Sequence, residues 1–273
     1  MGGTRALRAA SLARIMPPML PDDAYRSARM AAGYAFSRPP VHAHIVRRIR
    51  EDLRLEAPVG RALDVGCGAG LSTAALVPLA RLVVGLEPVP TMLEHRRAVA
   101  PEAAFVVGRA EQLPFGARAF DLVTAAGSLN YVDLSLFLSD LARVLSPRGA
   151  MVIYDFSAGR RLRGDRRLDE WYEAFERRHP PKPGYDMDVT ALDYVSHGLR
   201  LSSFEAFEVA VPMTLDVYVR YAMSETGVEL AIAAGVPEVE IKTWCESTLA
   251  GILDGVPRDV LFDAYVAYVR RTE

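Results

Sequence analysis

The stretch Ala62-Leu-Asp-Val-Gly-Cys-Gly-Ala-Gly70 decides the fold. It begins as an apolar strand closed by an acid, passes through a glycine-rich turn and enters a helix at Leu71. Such a turn lets the backbone approach a ligand closely. Upstream, Val41, Ile45, Ile49 and Leu53 recur at four-residue spacing and predict one face of a helix over 41–54. Downstream, the pattern predicts a helix over Leu71–Ala80, a strand over Arg81–Glu87 and a helix opened by Pro90. Strands over Ala104–Gly108 and Phe120–Ala125, a helix over Leu134–Leu145 and a strand over Ala150–Asp155 follow. This alternation from about 60 to 156 implies an α/β fold with a doubly wound, mostly parallel sheet, whose ligand lies beyond the carboxyl ends of the strands. Asp64, Glu87, Gly108 and Ala126 fall at or near those ends.

The alternation stops after 156. Residues 157–200 are polar and aromatic, Phe204–Pro212 reads as a strand, 214–251 as helical and Val260–Val269 as a last strand. The expected organisation is one domain over 22–273, with a core of about 41–156 and helical cap insertions at about 157–200 and 214–251. Residues 1–21 carry three arginines and no acid and end in Met16-Pro-Pro-Met-Leu-Pro21, the composition of a disordered leader.

The net charge of −2 gives no electrostatic footprint for nucleic acid. No apolar run approaches ~18 residues, so no membrane span is expected. Two cysteines, Cys67 and Cys245, are too few for a disulfide framework and suit a reducing cytoplasm. The five histidines lack metal-ligand spacing, so no metal is expected. The oligomeric state is left open.

The turn reads G-x-G-x-G through Gly66, Gly68 and Gly70, whereas a pyrophosphate-binding turn reads G-x-G-x-x-G. Asp64 just before it suits a ligand with a cationic end and would repel a pyrophosphate. S-adenosylmethionine has an ammonium, a sulfonium and no phosphate. Glu87, seventeen residues past Gly70, is placed to accept from two ribose hydroxyls.

Leu63-Asp-Val-Gly-Cys-Gly-Ala-Gly70, Val84-Gly-Leu-Glu-Pro88, Gly108-Arg-Ala-Glu-Gln-Leu-Pro-Phe115, Phe120-Asp-Leu-Val123 and Leu141-Ala-Arg-Val-Leu-Ser-Pro147 resemble, in this order, the motifs of class I S-adenosylmethionine-dependent methyltransferases. The likeness is to the ubiquinone/menaquinone-type and trans-aconitate-type small-molecule branch, and it covers about 40–156. The resemblance implies a Rossmann-like, seven-stranded sheet with S-adenosylmethionine as cofactor. It implies that Asp64, Gly66, Cys67, Gly68 and Gly70 hold the methionine portion, that Glu87 with Pro88 holds the ribose, and that Ala110 and Glu111 face the adenine, with Ala126 beside the cofactor. Arg109 departs from the family, which usually has an acid there; arginine has no acceptor for the adenine amino group. Gly33-Tyr-Ala-Phe-Ser-Arg-Pro-Pro-Val-His42 resembles the N-terminal segment of the trans-aconitate-like branch, which implies that Arg38 pairs the cofactor carboxylate and Tyr34 closes over it.

The expected reaction is in-line methyl transfer to a small-molecule substrate, which compels no single catalytic motif. Asn130 and Tyr131, in the loop after the fourth strand, are the expected substrate contacts. Trp171, Tyr172 and Ser224 are candidate pocket walls, although aromatics at helical spacing also build cores. His179 and His197 lie in the cap, within expected reach of the methyl group, while the Arg160–Arg167 cluster, interspersed with acids, reads as a solvated helix face. Two rivals remain at this point: an NAD-dependent oxidoreductase, which shares the ribose acid, and a non-catalytic cofactor-binding regulatory protein.

Overall fold

The computed structural model describes residues 23–181 and 187–272, so the expected leader over 1–21 lies outside the described residues. Five parallel strands form the centre of the sheet: β1 (Val59–Val65), β2 (Ala80–Glu87), β3 (Ala104–Val107), β4 (Phe120–Ala126) and β5 (Leu145–Phe156). They lie in the order β3-β2-β1-β4-β5. The two-residue β6 (Arg161–Leu162) and the long β7 (Leu199–Met213) both pair antiparallel with β8 (Arg258–Arg271), which itself pairs antiparallel with β5. The sheet thus has eight strands, the seven expected and the short β6. From β1 the chain winds outward through β2 to β3 and then returns to β4 on the other side. That reversal opens a crevice at the carboxyl ends of β1 and β4, where ligands of open α/β sheets bind.

Nine α-helices are described: α1 (Ala28–Phe36), α2 (Val41–Asp52), α3 (Leu71–Leu76), α4 (Arg96–Val99), α5 (Leu134–Val144), α6 (Arg167–Arg178), α7 (Leu215–Met223), α8 (Thr226–Ala233) and α9 (Glu238–Leu249). Both sheet faces are covered, as the period-two pattern of β5 requires. Val152 and Tyr154 join one apolar cluster with Val41, Ile45 and Ile49 of α2. Met151 and Ile153 join the other with Phe137, Leu138 and Leu141 of α5. Asp133 caps α5 by accepting from Leu136 N at 3.1 Å. The helix expected from Pro90 is split into a 3₁₀ turn, Pro90–Leu93, and the short α4. The Arg96 side chain donates to the Leu93 carbonyl at 2.8 Å, taking an acceptor that a continuous helix would need.

Helix α1 was not legible as a helix. Ser27 caps it through Met30 N, and only small residues and one methionine, Met30, Ala31 and Ala35, are buried along it. Gly33 permits its close approach to the cap, since a Cβ there would lie 3.2 Å from the Ser224 Cβ. Among the described residues no helix is long and apolar enough to cross a membrane, and no group of three or more His, Cys, Asp and Glu is disposed to hold a metal ion.

Candidate active site

Strand β1 delivers Asp64 and Val65 to the crevice, and the turn that follows is forced by backbone conformation. Gly66, Gly68 and Gly70 have φ of +67°, +54° and +97°, a region open to glycine and strained for other residues. At Gly66 there is also no room, because a Cβ would stand 2.4 Å from the Ser128 Cβ. The turn is tied to β2, where Leu86 O accepts from Gly66 N at 2.8 Å and Cys67 N at 3.0 Å.

Asp64 departs from its expected role. It is fully buried and lines neither of the two cavities over the turn. Ser72 Oγ (2.6 Å) and Thr73 Oγ1 (2.7 Å) donate to one of its oxygens and Thr124 Oγ1 (2.9 Å) to the other. Burial raises its pKa and the three hydroxyls oppose that rise. Asp64 therefore bolts β1, β4 and α3 together beneath the turn.

Glu87 sits where a ligand-facing carboxylate is needed. Its Oε2 accepts from Gly68 N at 2.9 Å and its Oε1 from Val89 N at 3.0 Å. Burial raises its pKa, and these two amide donors act in the opposite direction. The carboxylate is thereby fixed against both the glycine turn and its own strand.

Two cavities adjoin over this frame and share Tyr34, Gly66, Gly68, Ala126 and Gly127. The first, of about 180 Å³, runs from the turn past Glu87 and Pro88 to Ala110 and Glu111, with Leu86, Met92 and Val132 as apolar walls. Tyr25, Tyr34 and Tyr131 line it too, with Tyr25 edge-on to both others at 5.9 Å and its hydroxyl 3.3 Å from that of Tyr131. Arg109 reaches this cavity and lies 3.4 Å from Glu111 Oε1, an acceptor that also takes the Asp133 N–H at 3.3 Å. The second cavity, of about 300 Å³, contains Arg38, Cys67, His42, Asp155, Tyr221 and Glu225 in its lining. Arg38 donates to Glu225 Oε1 at 2.9 Å and to Ser224 O at 2.8 Å, and its guanidinium lies 4.2 Å from the Tyr34 ring centre. Burial pulls the Arg38 pKa down, and Glu225 together with Tyr34, Tyr221 and Tyr25 more than offsets this, so the cation is retained.

Several expected site residues stand elsewhere. Gly70 and Asn130 do not line either cavity, and Ser224 contributes its backbone carbonyl while its hydroxyl donates to Tyr221 O at 2.6 Å. Trp171 and Tyr172 are buried in the cap, and neither lines these two cavities. Trp171 stacks on Phe175 at 5.1 Å and Trp244 at 5.5 Å, and its Nε1 donates to Thr248 at 2.7 Å. The helical spacing of these aromatics serves packing. Replacing Trp171 with alanine is expected to cost about 3–5 kcal/mol of stability and to leave cofactor affinity of the folded protein unchanged. Denaturant unfolding and calorimetric titration would separate the two. His179 is buried against Phe175 and Trp244, and His197 is on the surface 2.8 Å from Ser139 Oγ. Neither lines the cavities.

The histidine that does is His42, at the start of α2, with Nδ1 3.0 Å from the Tyr154 hydroxyl. Burial, helped by Arg38, pushes its pKa down to about 4. The unfolded chain binds this proton below about pH 6.5 and the folded chain resists it. Its contribution to stability is therefore complete above pH 6.5 and is lost as pH falls through the window down to about 4. His42→Gln should flatten this limb of the stability curve by about 2–3 kcal/mol, measured by urea unfolding at each pH.

Residues 63–153 match the family model described as methyltransferase domain. An uncharacterized methyltransferase of Mycobacterium tuberculosis is 34% identical over 119 residues, 44% of this chain and 49% of the relative. A demethylmenaquinone methyltransferase of Beutenbergia cavernae is 35% identical over 112 residues, 41% of this chain and 47% of the relative. The chain thus spans about half the length of the curated relatives it matches. A solved structure from Anaeromyxobacter dehalogenans, assigned as a type II methyltransferase, superposes with a TM-score of 0.62 at 19% identity, over 84% of this chain and 95% of that one. The motif order, the switch-point crevice and these likenesses agree: residues 63–153 match the methyltransferase-domain family model, and the chain has a Rossmann-like α/β fold.

Proposed function

We propose that this protein transfers the methyl group of S-adenosylmethionine to a small-molecule acceptor. The observation that carries the reading is Glu87, a carboxylate fixed by Gly68 N and Val89 N between the glycine turn and an apolar-walled cavity. That is the arrangement for a ribose next to a backbone cradle. With Glu111 on the same lining, it disfavours the phosphates of a dinucleotide.

The residues fit the cofactor. A Cβ at Gly68 would meet only the Met92 methyl, at 3.6 Å, so the space above the turn belongs to the cavity. Arg38 Nε is buried with no hydrogen-bond partner, the kind of donor that a carboxylate would complete. Glu87 would hold the ribose hydroxyls, and Ala110 with Leu86 and Met92 would enclose the adenine. Gly66, Gly68, Ala126 and Arg38 would receive the methionine end. When bound, the cofactor supplies a methyl group activated on a positive sulfur.

The chain's own part is to align and to exclude water. Alignment of two reactants supplies up to roughly 7–11 kcal/mol of a barrier. Tyr25, Tyr34 and Tyr131 line the first cavity, and the second cavity would seat an acceptor next to the shared Gly66–Ala126 wall. Isothermal titration tests the reading: S-adenosylmethionine and its demethylated product, S-adenosylhomocysteine, should bind and NAD should not. Binding of NAD without either of the others would overturn it.

A further inference from the structure

The charges of the second cavity do not balance. The Arg38 charge is already matched by Glu225, its Nη2 donates to the Ser224 carbonyl, and its one remaining donor nitrogen, Nε, is the group offered to the cofactor carboxylate. His42 is neutral at ordinary pH, and burial keeps Tyr221 and Cys67 uncharged. That leaves Asp155, the next-to-last residue of β5. Its Oδ1 accepts only the Phe156 N–H, at 2.8 Å, and among the described residues no side chain donates to it and no cation pairs with it. It stands against Gly127, where an added Cβ would lie 2.8 Å from Oδ1 and 3.3 Å from Oδ2. Gly127 belongs to the wall common to both cavities. Asp155 is thus a lone carboxylate at the junction between the cofactor cavity and the acceptor cavity.

An unmatched, half-buried carboxylate gains from a partner. A cation satisfies it better than a neutral hydroxyl, and an anion would be repelled. We propose that Asp155 recognises the acceptor, and that the acceptor is a small amine that enters as an ammonium. This deepens the methyl-transfer reading and rests on it. The ammonium gives one N–H proton to the Asp155 carboxylate. The freed nitrogen lone pair forms the N–CH₃ bond as the CH₃–S bond breaks, and the electron pair of that bond stays on sulfur, leaving a neutral thioether. Asp155 then returns its proton to water. Burial raises the Asp155 pKa, which makes it a stronger base than an exposed aspartate. Phe156, Pro39 and the His42 ring give the cavity apolar surface for the body of such an amine.

The test uses three probes of one shape and three charges: benzylamine, benzyl alcohol and benzoate, titrated into the full-length protein saturated with S-adenosylhomocysteine. Benzylamine should bind at least about tenfold more tightly than benzyl alcohol, and benzoate more weakly than both. Asp155→Asn should remove the amine's advantage while the affinity for S-adenosylhomocysteine changes less than about threefold. Asp155→Ser serves the same purpose if the asparagine variant does not fold. Benzoate binding best, or an amine preference that survives in the variant, would overturn the proposal. Failure of wild-type protein to bind S-adenosylhomocysteine would instead overturn the methyl-transfer reading.

Discussion

Glu87→Ala is expected to weaken S-adenosylhomocysteine binding by about two to four orders of magnitude. The carboxylate offers a ribose two charge-assisted acceptors, each worth about 1.5–3 kcal/mol, and every 1.4 kcal/mol is about tenfold in affinity. The substitution also strips the Gly68 and Val89 amides of their acceptors, so the turn loses its anchor along with the contact. Glu87→Gln retains the shape but presents an NH₂ group to one of those amide donors, and it should fall between wild type and alanine. Titration calorimetry on variants whose unfolding midpoint is first measured separates affinity from stability. An alanine variant that binds within threefold of wild type would remove Glu87 from the site.

The other large effect concerns stability. Asp64→Ala is expected to destabilise the fold by about 3 kcal/mol or more, because it removes the acceptor of three buried hydroxyls, each costing about 1–3 kcal/mol when left unsatisfied and not free to turn to another partner. Asp64→Asn should be milder, since the amide oxygen still accepts and hydroxyl oxygens can accept from its NH₂ group. Urea unfolding measures this, with the denaturant slope unchanged if the folded state keeps its compactness. If the alanine variant were as stable as wild type yet failed to bind cofactor, Asp64 would be a ligand contact after all.

These expectations mark the boundary of what sequence reading reached. The parallel core was legible because strand-and-helix alternation is a local pattern, and so was the turn, because glycines at 66, 68 and 70 state their own conformation. Glu87 was legible as the acid at a strand end. Asp64 looked equivalent, but its partners Ser72, Thr73 and Thr124 close around it only once β4 and α3 are in place. Trp171 and Tyr172 could be read as wall or core, and the stacking on Trp244, some seventy residues on, decides for core. Arg38 was read toward a ligand. Its pairing with Glu225, 187 residues away, has no local signature. Asp155 passed as an ordinary strand end because its isolation depends on Arg38 being held elsewhere.

Arg38 and Arg29 have a mechanical consequence. Arg29 on α1 reaches Glu229 at 2.8 Å, the Met223 carbonyl at 2.8 Å and Glu238 at 3.0 Å, while Arg38 grips Ser224 and Glu225. Two clamps, one at each end of α1, therefore fasten the start of the chain to the α7–α8 corner and to the head of α9. Segments nearly 200 residues apart in the chain are thereby joined at two points beside the second cavity, and displacing α1 from the α7–α8 corner requires breaking both clamps.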